Sequence, residues 1–255
     1  MPVKHSGHRF SFRFRLIPFI ATVLVIALGI SLAQWQTRRG DQKQALATAM
    51  QQRAAQAPLQ LDAQTSISAE QANQTEFRQI SVKGEFVADW PIYLDNRSYQ
   101  GRPGFYVLMP FKIANSGSYL LVERGWLPLN PQARATLLPY STPAGQIALQ
   151  GVARLHPGRV MQLGQPAVLQ PKAIVQNLDV AELARTSKLP FQPVIIEQTN
   201  DTQDGLIRDW PIPSLGIEKH RGYEFQWYAL AVMAFLFFVV TGFKSGTKMG
   251  AKDNE

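Results

Sequence analysis

The sequence predicts a membrane protein in which two transmembrane helices, near the N- and C-termini, flank a β-rich α+β extramembrane domain built as an antiparallel barrel or sandwich. Three observations carry this. Residues 16–33 form an uncharged apolar run of 18 residues, 225–243 form another of 19, and the stretch between is cut into short β-prone runs by Gly, Pro and Asn. A helix rises about 1.5 Å per residue, so either run reaches about 27–28 Å, close to the roughly 30 Å hydrocarbon core of a bilayer.

Residues 1–15 make a basic tail with Lys4, Arg9, Arg13 and Arg15. The first span is assigned to 16–35, with Pro18 in its first turn, where a missing N–H costs little. Two readings of this start stand open. An uncleaved anchor is favoured by an apolar run longer than a usual signal-peptide core; a cleaved signal peptide is favoured by the basic start and by Ser31-Leu32-Ala33, which resembles a cleavage site. From 41 to 57 Ala and Gln dominate, with Lys43, Leu46, Met50 and Arg53 at helical spacing, so the span is expected to continue as a polar helix that Pro58 ends. Residues 59–74 read as a connector with a helix-start signal at Ser66-Ile67-Ser68-Ala69-Glu70. Polar helix and connector together take 36–76.

The β-rich domain is assigned to 77–224. Its expected strands are 78–82, 91–94, 105–109, 119–122, 146–155, 173–175 and 194–197. Gly101-Arg102-Pro103-Gly104 and Asn115-Ser116-Gly117 read as turns between them, because Gly and Asn tolerate hairpin geometries. Residues 179–187 read as one short helix with Asp179 as its N-cap. Many short strands and few helices favour a barrel or sandwich over a doubly wound fold.

The second span, 225–243, opens on Trp227 and Tyr228, whose apolar rings and polar tips suit the membrane interface, and is followed by Lys244 and Lys248 in the tail 244–255. Four Lys/Arg precede the first span and three follow the second. By the positive-inside rule both termini are cytoplasmic and 36–224 faces the periplasm, outside a bacterial inner (plasma) membrane. Arg38, Arg39 and Lys43 weaken the local bias, yet a long segment can cross regardless of charge.

This topology accounts for much of the net charge of +8. The tails hold 7 Lys/Arg against 2 acids, leaving 19 against 16 in the external segment. No nucleic-acid footprint remains. The chain has no cysteine, which excludes disulfides and thiolate metal sites. Only His156 and His220 lie in the external segment, so one chain cannot assemble a three-histidine zinc site there. No phosphate loop, dinucleotide fingerprint, nucleophile elbow or zinc-protease motif occurs.

His220 stands just before the second span. On a helix it shares a face with Tyr223 and Trp227, while Glu224 stands one turn on. Two readings apply: a neutral imidazole able to act as an axial ligand for haem iron, with the rings packing on a porphyrin edge, or a histidine that hydrogen-bonds near a helix start within an ordinary aromatic belt. The two membrane mouths resemble each other, Gln34-Trp35-Gln36 closing one span and Gln226-Trp227 opening the other. They read as an aromatic belt or as a shared polar patch where the helices pack. His156, in Leu155-His156-Pro157-Gly158, reads as a solvated loop residue. Two clusters, 122–128 and 94–97, read as architecture, with the Arg pairing a nearby carboxylate, or as a partner surface.

The order of these features resembles the surfeit locus protein one family, assembly factors for haem-copper cytochrome c oxidase. The resemblance rests on Trp35-Gln36 with Arg38, Gly84-Glu85-Phe86, Asp95-Asn96-Arg97, Gly104-Phe105-Tyr106-Val107, Pro110, Val122-Glu123-Arg124-Gly125-Trp126-Leu127-Pro128, and His220-x-x-Tyr223-x-x-Gln226-Trp227. Arg221 and Glu224 depart from it, standing where apolar residues and Ala are common. The resemblance implies a non-enzymatic role, assisting insertion of haem a into subunit I. It implies His220 as the haem-iron contact, with Tyr223, Trp227 and Trp35 as walls. It also implies oxidase subunit I as partner, together with the enzymes that make haem a. Two other hypotheses are held beside it: a membrane scaffold that stabilises an oxidase assembly intermediate without binding haem, and an envelope enzyme with an unrecognised triad.

Overall fold

The chain divides into two units, 1–48 with 214–255, and 49–213. The computed structural model describes residues 12–133, 136–162, 164–165, 167–211 and 215–252. Lys4 and Arg9 of the basic tail, and the side chains of Lys244 and Lys248, lie outside the described residues.

The first unit is an antiparallel pair of long helices, α1 (Leu16–Ala54) and α4 (Ile217–Lys252). Near the start of α1, Arg13 N–H donates to Gly242 O at 3.1 Å, while farther along Gly40 lies against His220. The apolar run of α1 passes without a break into the polar stretch, and the helix stops at Ala54, shortly before Pro58. α1 buries Gly29, Ala33, Gln36 and Gly40, a spacing that keeps them on one face. Small residues there let the helices close: a Cβ at Gly29 would stand 3.2 Å from both Ala231 Cβ and Trp227 O. Most larger apolar side chains, such as Leu24, Leu28, Phe235 and Phe237, point outward. Both helices are long and apolar enough to cross a membrane, and their apolar windows are almost wholly exposed, unlike the core helix of a soluble protein.

The second unit contains β1 (Leu59–Leu61), α2 (Ala69–Thr75), β2 (Gln79–Phe86), β3 (Ile92–Tyr99), β4 (Arg102–Ile113), β5 (Tyr119–Pro128), β6 (Ile147–Arg154), β7 (Ile174–Val175), α3 (Val180–Ser187) and β8 (Phe191–Gln198). Strands β2, β6, β8, β5 and β4 pair in that order, and β4 returns to β2 through Gly84↔Ile113 to Phe86↔Phe111, closing a barrel. Long β4 serves two neighbours on this side, β2 at its end and β3 along its earlier part. The inside of the barrel is apolar, with Ile80, Val82, Phe111, Leu120, Val122, Leu149 and Ile196 in one cluster. A second cluster, including Leu94, Leu108, Leu121, Leu178 and Leu183, sits under α3 and the segment before it. This is why β5 is buried on both faces along nearly its whole length.

Every predicted strand overlaps an observed one, and Asp179 caps α3 by accepting from Ala181 N and Glu182 N. Ser68 caps α2 in a reciprocal box with Gln71. Three details differ from the sequence reading. The sheet is not purely antiparallel: β1–β2 and β3–β7 are parallel outside the barrel and β5–β8 within it, the last made possible by the long excursion through β6, β7 and α3. The connector contains β1, whose register is fixed by β2 rather than by its own pattern. The turn expected at 101–104 is instead Gln100-Gly101, both at positive φ (48° and 76°), while Gly104 lies inside β4. There the Trp126 ring and Leu127 O fill the space a Cβ would need.

Candidate functional site

In the helix pair, His220 is half-buried and its Nδ1 lies 2.7 Å from Oε1 of Gln36. An amide oxygen can only accept, so Nδ1–H donates, and Nε2 takes no part in this bond. Gly40 packs against the same residue: a Cβ there would stand 3.7 Å from His220 Cβ, an ordinary contact. Of the amides at the two mouths, Gln36 therefore does make a polar contact between the helices, with His220.

Arg221 and Glu224 do not crowd the imidazole with free charge. Arg221 donates to Asp41 at 2.9 Å and to Glu224 at 3.2 Å, a pairing on the exposed side of the helices. Trp227 is half-buried and, with Val25, Leu28, Leu230, Met233 and Phe237, lines an apolar groove of about 460 Å³ between α1 and α4. Tyr223 and Trp35 are more exposed, at 53% and 46%, and flank the seam between the helices rather than enter it. Thus His220 and Trp227 share the seam, and the other two rings stand beside it. Among the described residues, no group of three or more His, Cys, Asp or Glu could hold a metal ion. His156 is exposed.

The barrel unit holds a second set of polar groups, largely internal. Arg124 is fully buried, donating to Asp204 at 2.7 Å, Ser141 O at 2.9 Å and Thr142 Oγ1 at 2.8 Å, with its guanidinium 4.5 Å from the Phe86 ring centroid. Asp204 also accepts from Arg208 and Thr202. The carboxylate expected for Arg124 therefore exists, 80 residues along the chain. Arg97 donates to the carbonyls of Gly158 and Gln176, tying the chain on either side of β7 onto β3, and its own carbonyl accepts from Trp126 Nε1 at 2.9 Å. Both clusters singled out in the sequence serve the architecture.

Glu123 was not singled out by itself, and it is unusual. It is 2% exposed, and its strand neighbour on β8 is Glu197. Burial, and then the charge of Glu197, push its carboxyl up to about 8 despite Arg97 and Arg154 nearby. Burial raises Glu197 too, although Arg154, 3.2 Å away, opposes the rise.

A family model described as the SURF1 family matches residues 23–232. The chain is 25% identical over 251 residues to a SURF1-like protein of Monosiga brevicollis, covering 91% of this chain and 90% of that one. It is 24% identical to Surfeit locus protein 1 of Arabidopsis thaliana over 80% of this chain and 72% of the relative. A shorter stretch of 96 residues is 27% identical to the cytochrome oxidase assembly protein SHY1 of Saccharomyces cerevisiae, covering 38% of this chain and 24% of the yeast protein.

Proposed function

The chain belongs to the SURF1 family, and from that membership we propose that it assists assembly of haem-copper cytochrome c oxidase by holding haem a through His220 for insertion into subunit I. The observation that carries this is the His220–Gln36 bond. With Nδ1 engaged by Gln36, Nε2 is the ring nitrogen left outside that bond, and it is the atom through which His220 would ligate haem iron. Gln36 acts as a positioning residue that holds the proton at Nδ1 and fixes the ring. The residues fit the group: an imidazole nitrogen at the polar mouth would hold it, with the Trp227 indole farther along and apolar walls beyond. When bound, haem supplies the iron that accepts the Nε2 electron pair. Trp227, Tyr223 and Trp35 would wall the bound group.

The role is non-enzymatic delivery, with oxidase subunit I and the enzymes that make haem a as partners. The name of the yeast relative supports the assembly role. We place the chain in a bacterial inner membrane, and the count of Lys and Arg in the tails supports the orientation, both termini cytoplasmic and the barrel periplasmic. One observation favours a second reading: the same His220–Gln36 bond tethers two membrane helices, which a scaffold that never meets haem would also need.

Co-expression with a haem a pathway separates the two. His220→Ala should emerge folded, crosslinkable to subunit I and depleted of haem relative to wild type. Unchanged haem occupancy in the variant would remove the ligand role and leave the scaffold.

A further inference from the structure

We propose that the groove below His220 is the seat of the isoprenoid tail of haem a, so that the helix pair recognises this haem by its tail as well as its iron. This rests on the haem reading of His220 and deepens it. On α4 Trp227, seven residues from His220, shares its face about 10 Å along the helix, and the rest of the lining turns roughly a quarter-turn to one side, ending at Phe237 about 26 Å along. The wall changes character over that distance. At the mouth stand His220 and Gln36, both polar and bonded to each other; below Trp227 every lining side chain is apolar. An occupant matched to both ends has a ligating head at the water boundary and a long hydrocarbon arm reaching into the bilayer. Gly29, pressed against Ala231 and the Trp227 carbonyl, sets how closely the helices approach at the top of the groove. Val25 and Leu28 on α1, with Leu230 and Met233 on α4, form the sides.

Two haems that differ only in the arm provide the test: haem o carries a farnesyl chain where haem b has a vinyl group. The full-length chain in mild non-ionic detergent is titrated with each, following the Soret band. Detergent already solvates the arm, so only packing in the groove distinguishes the two, and haem o is expected to bind about fivefold tighter. Leu28→Trp and Met233→Trp, at outward positions each 59% exposed, fill the groove without cutting the helix seam. They should erase the preference for haem o and leave haem b binding as in wild type. Equal affinities for the two haems in wild type, or variants that weaken both haems alike, would overturn the tail assignment while His220 ligation stands. Binding of neither haem would overturn the ligation reading, and the tail assignment with it.

Discussion

Replacing Glu123 by Gln should flatten the pH dependence of the barrel's stability. Glu123 sits inside the fold beside Glu197, and its folded-state pKa of about 8 lies above the ordinary 4.5. Between those values the folded chain holds a proton that the unfolded chain has released. Stability therefore falls as pH rises through that window, is unaffected by this group below about 4.5, and levels off above about 8. At about 1.4 kcal/mol per pH unit, the full fall is on the order of 5 kcal/mol. Gln keeps the shape and carries no charge, so at pH 9 the variant should be the more stable protein by a few kcal/mol, while near pH 5 the two should be similar. Glu197, raised in the same direction, leaves a shallower slope of the same sign. Urea unfolding of the full chain in detergent, followed by tryptophan fluorescence across pH 5–9, reads this directly. Superimposable midpoint profiles for wild type and variant would refute the reasoning.

Asp204→Ala strands Arg124 and Arg208 as buried charges and should cost about 3–5 kcal/mol in the same unfolding assay; a loss under about 1 kcal/mol would mean the guanidinium finds other compensation. Gly104→Ala places a methyl into the Trp126 ring and Leu127 O, which should cost about 1–3 kcal/mol and alter the near-ultraviolet circular dichroism of Trp126. Gln36→Leu removes the acceptor for His220 Nδ1–H and should weaken haem binding by about tenfold in a Soret titration while the barrel unfolds as in wild type; an unchanged affinity would show that the ring needs no positioning.

The sequence displayed the spans and most strands because those signals are local. An uncharged run of bilayer length is read in one pass, and β-prone runs such as 105–109 stand out between turn residues. What it concealed is nonlocal. Gln36 and His220 are 184 residues apart, and nothing near either names the other. Arg124 and Asp204 meet only because the chain after β8 returns to β5, where Ile207 bridges Trp126. Gly104 was read as a turn from its Gly-Pro neighbourhood, although its role is to leave space for an indole from the adjacent strand. Glu123 carried no local sign of its burial, since an acid in a strand looks solvent-facing until both faces are covered. His220 itself was visible, but its tautomer depended on the helix pairing.

Haem a binding by the helix pair can be read from the haem content of the purified full-length chain. Protein taken from cells that make haem a, washed in detergent and assayed by pyridine haemochrome, is expected to carry haem a in stoichiometric amount. Colourless protein that also fails to take up added haem a would contradict it.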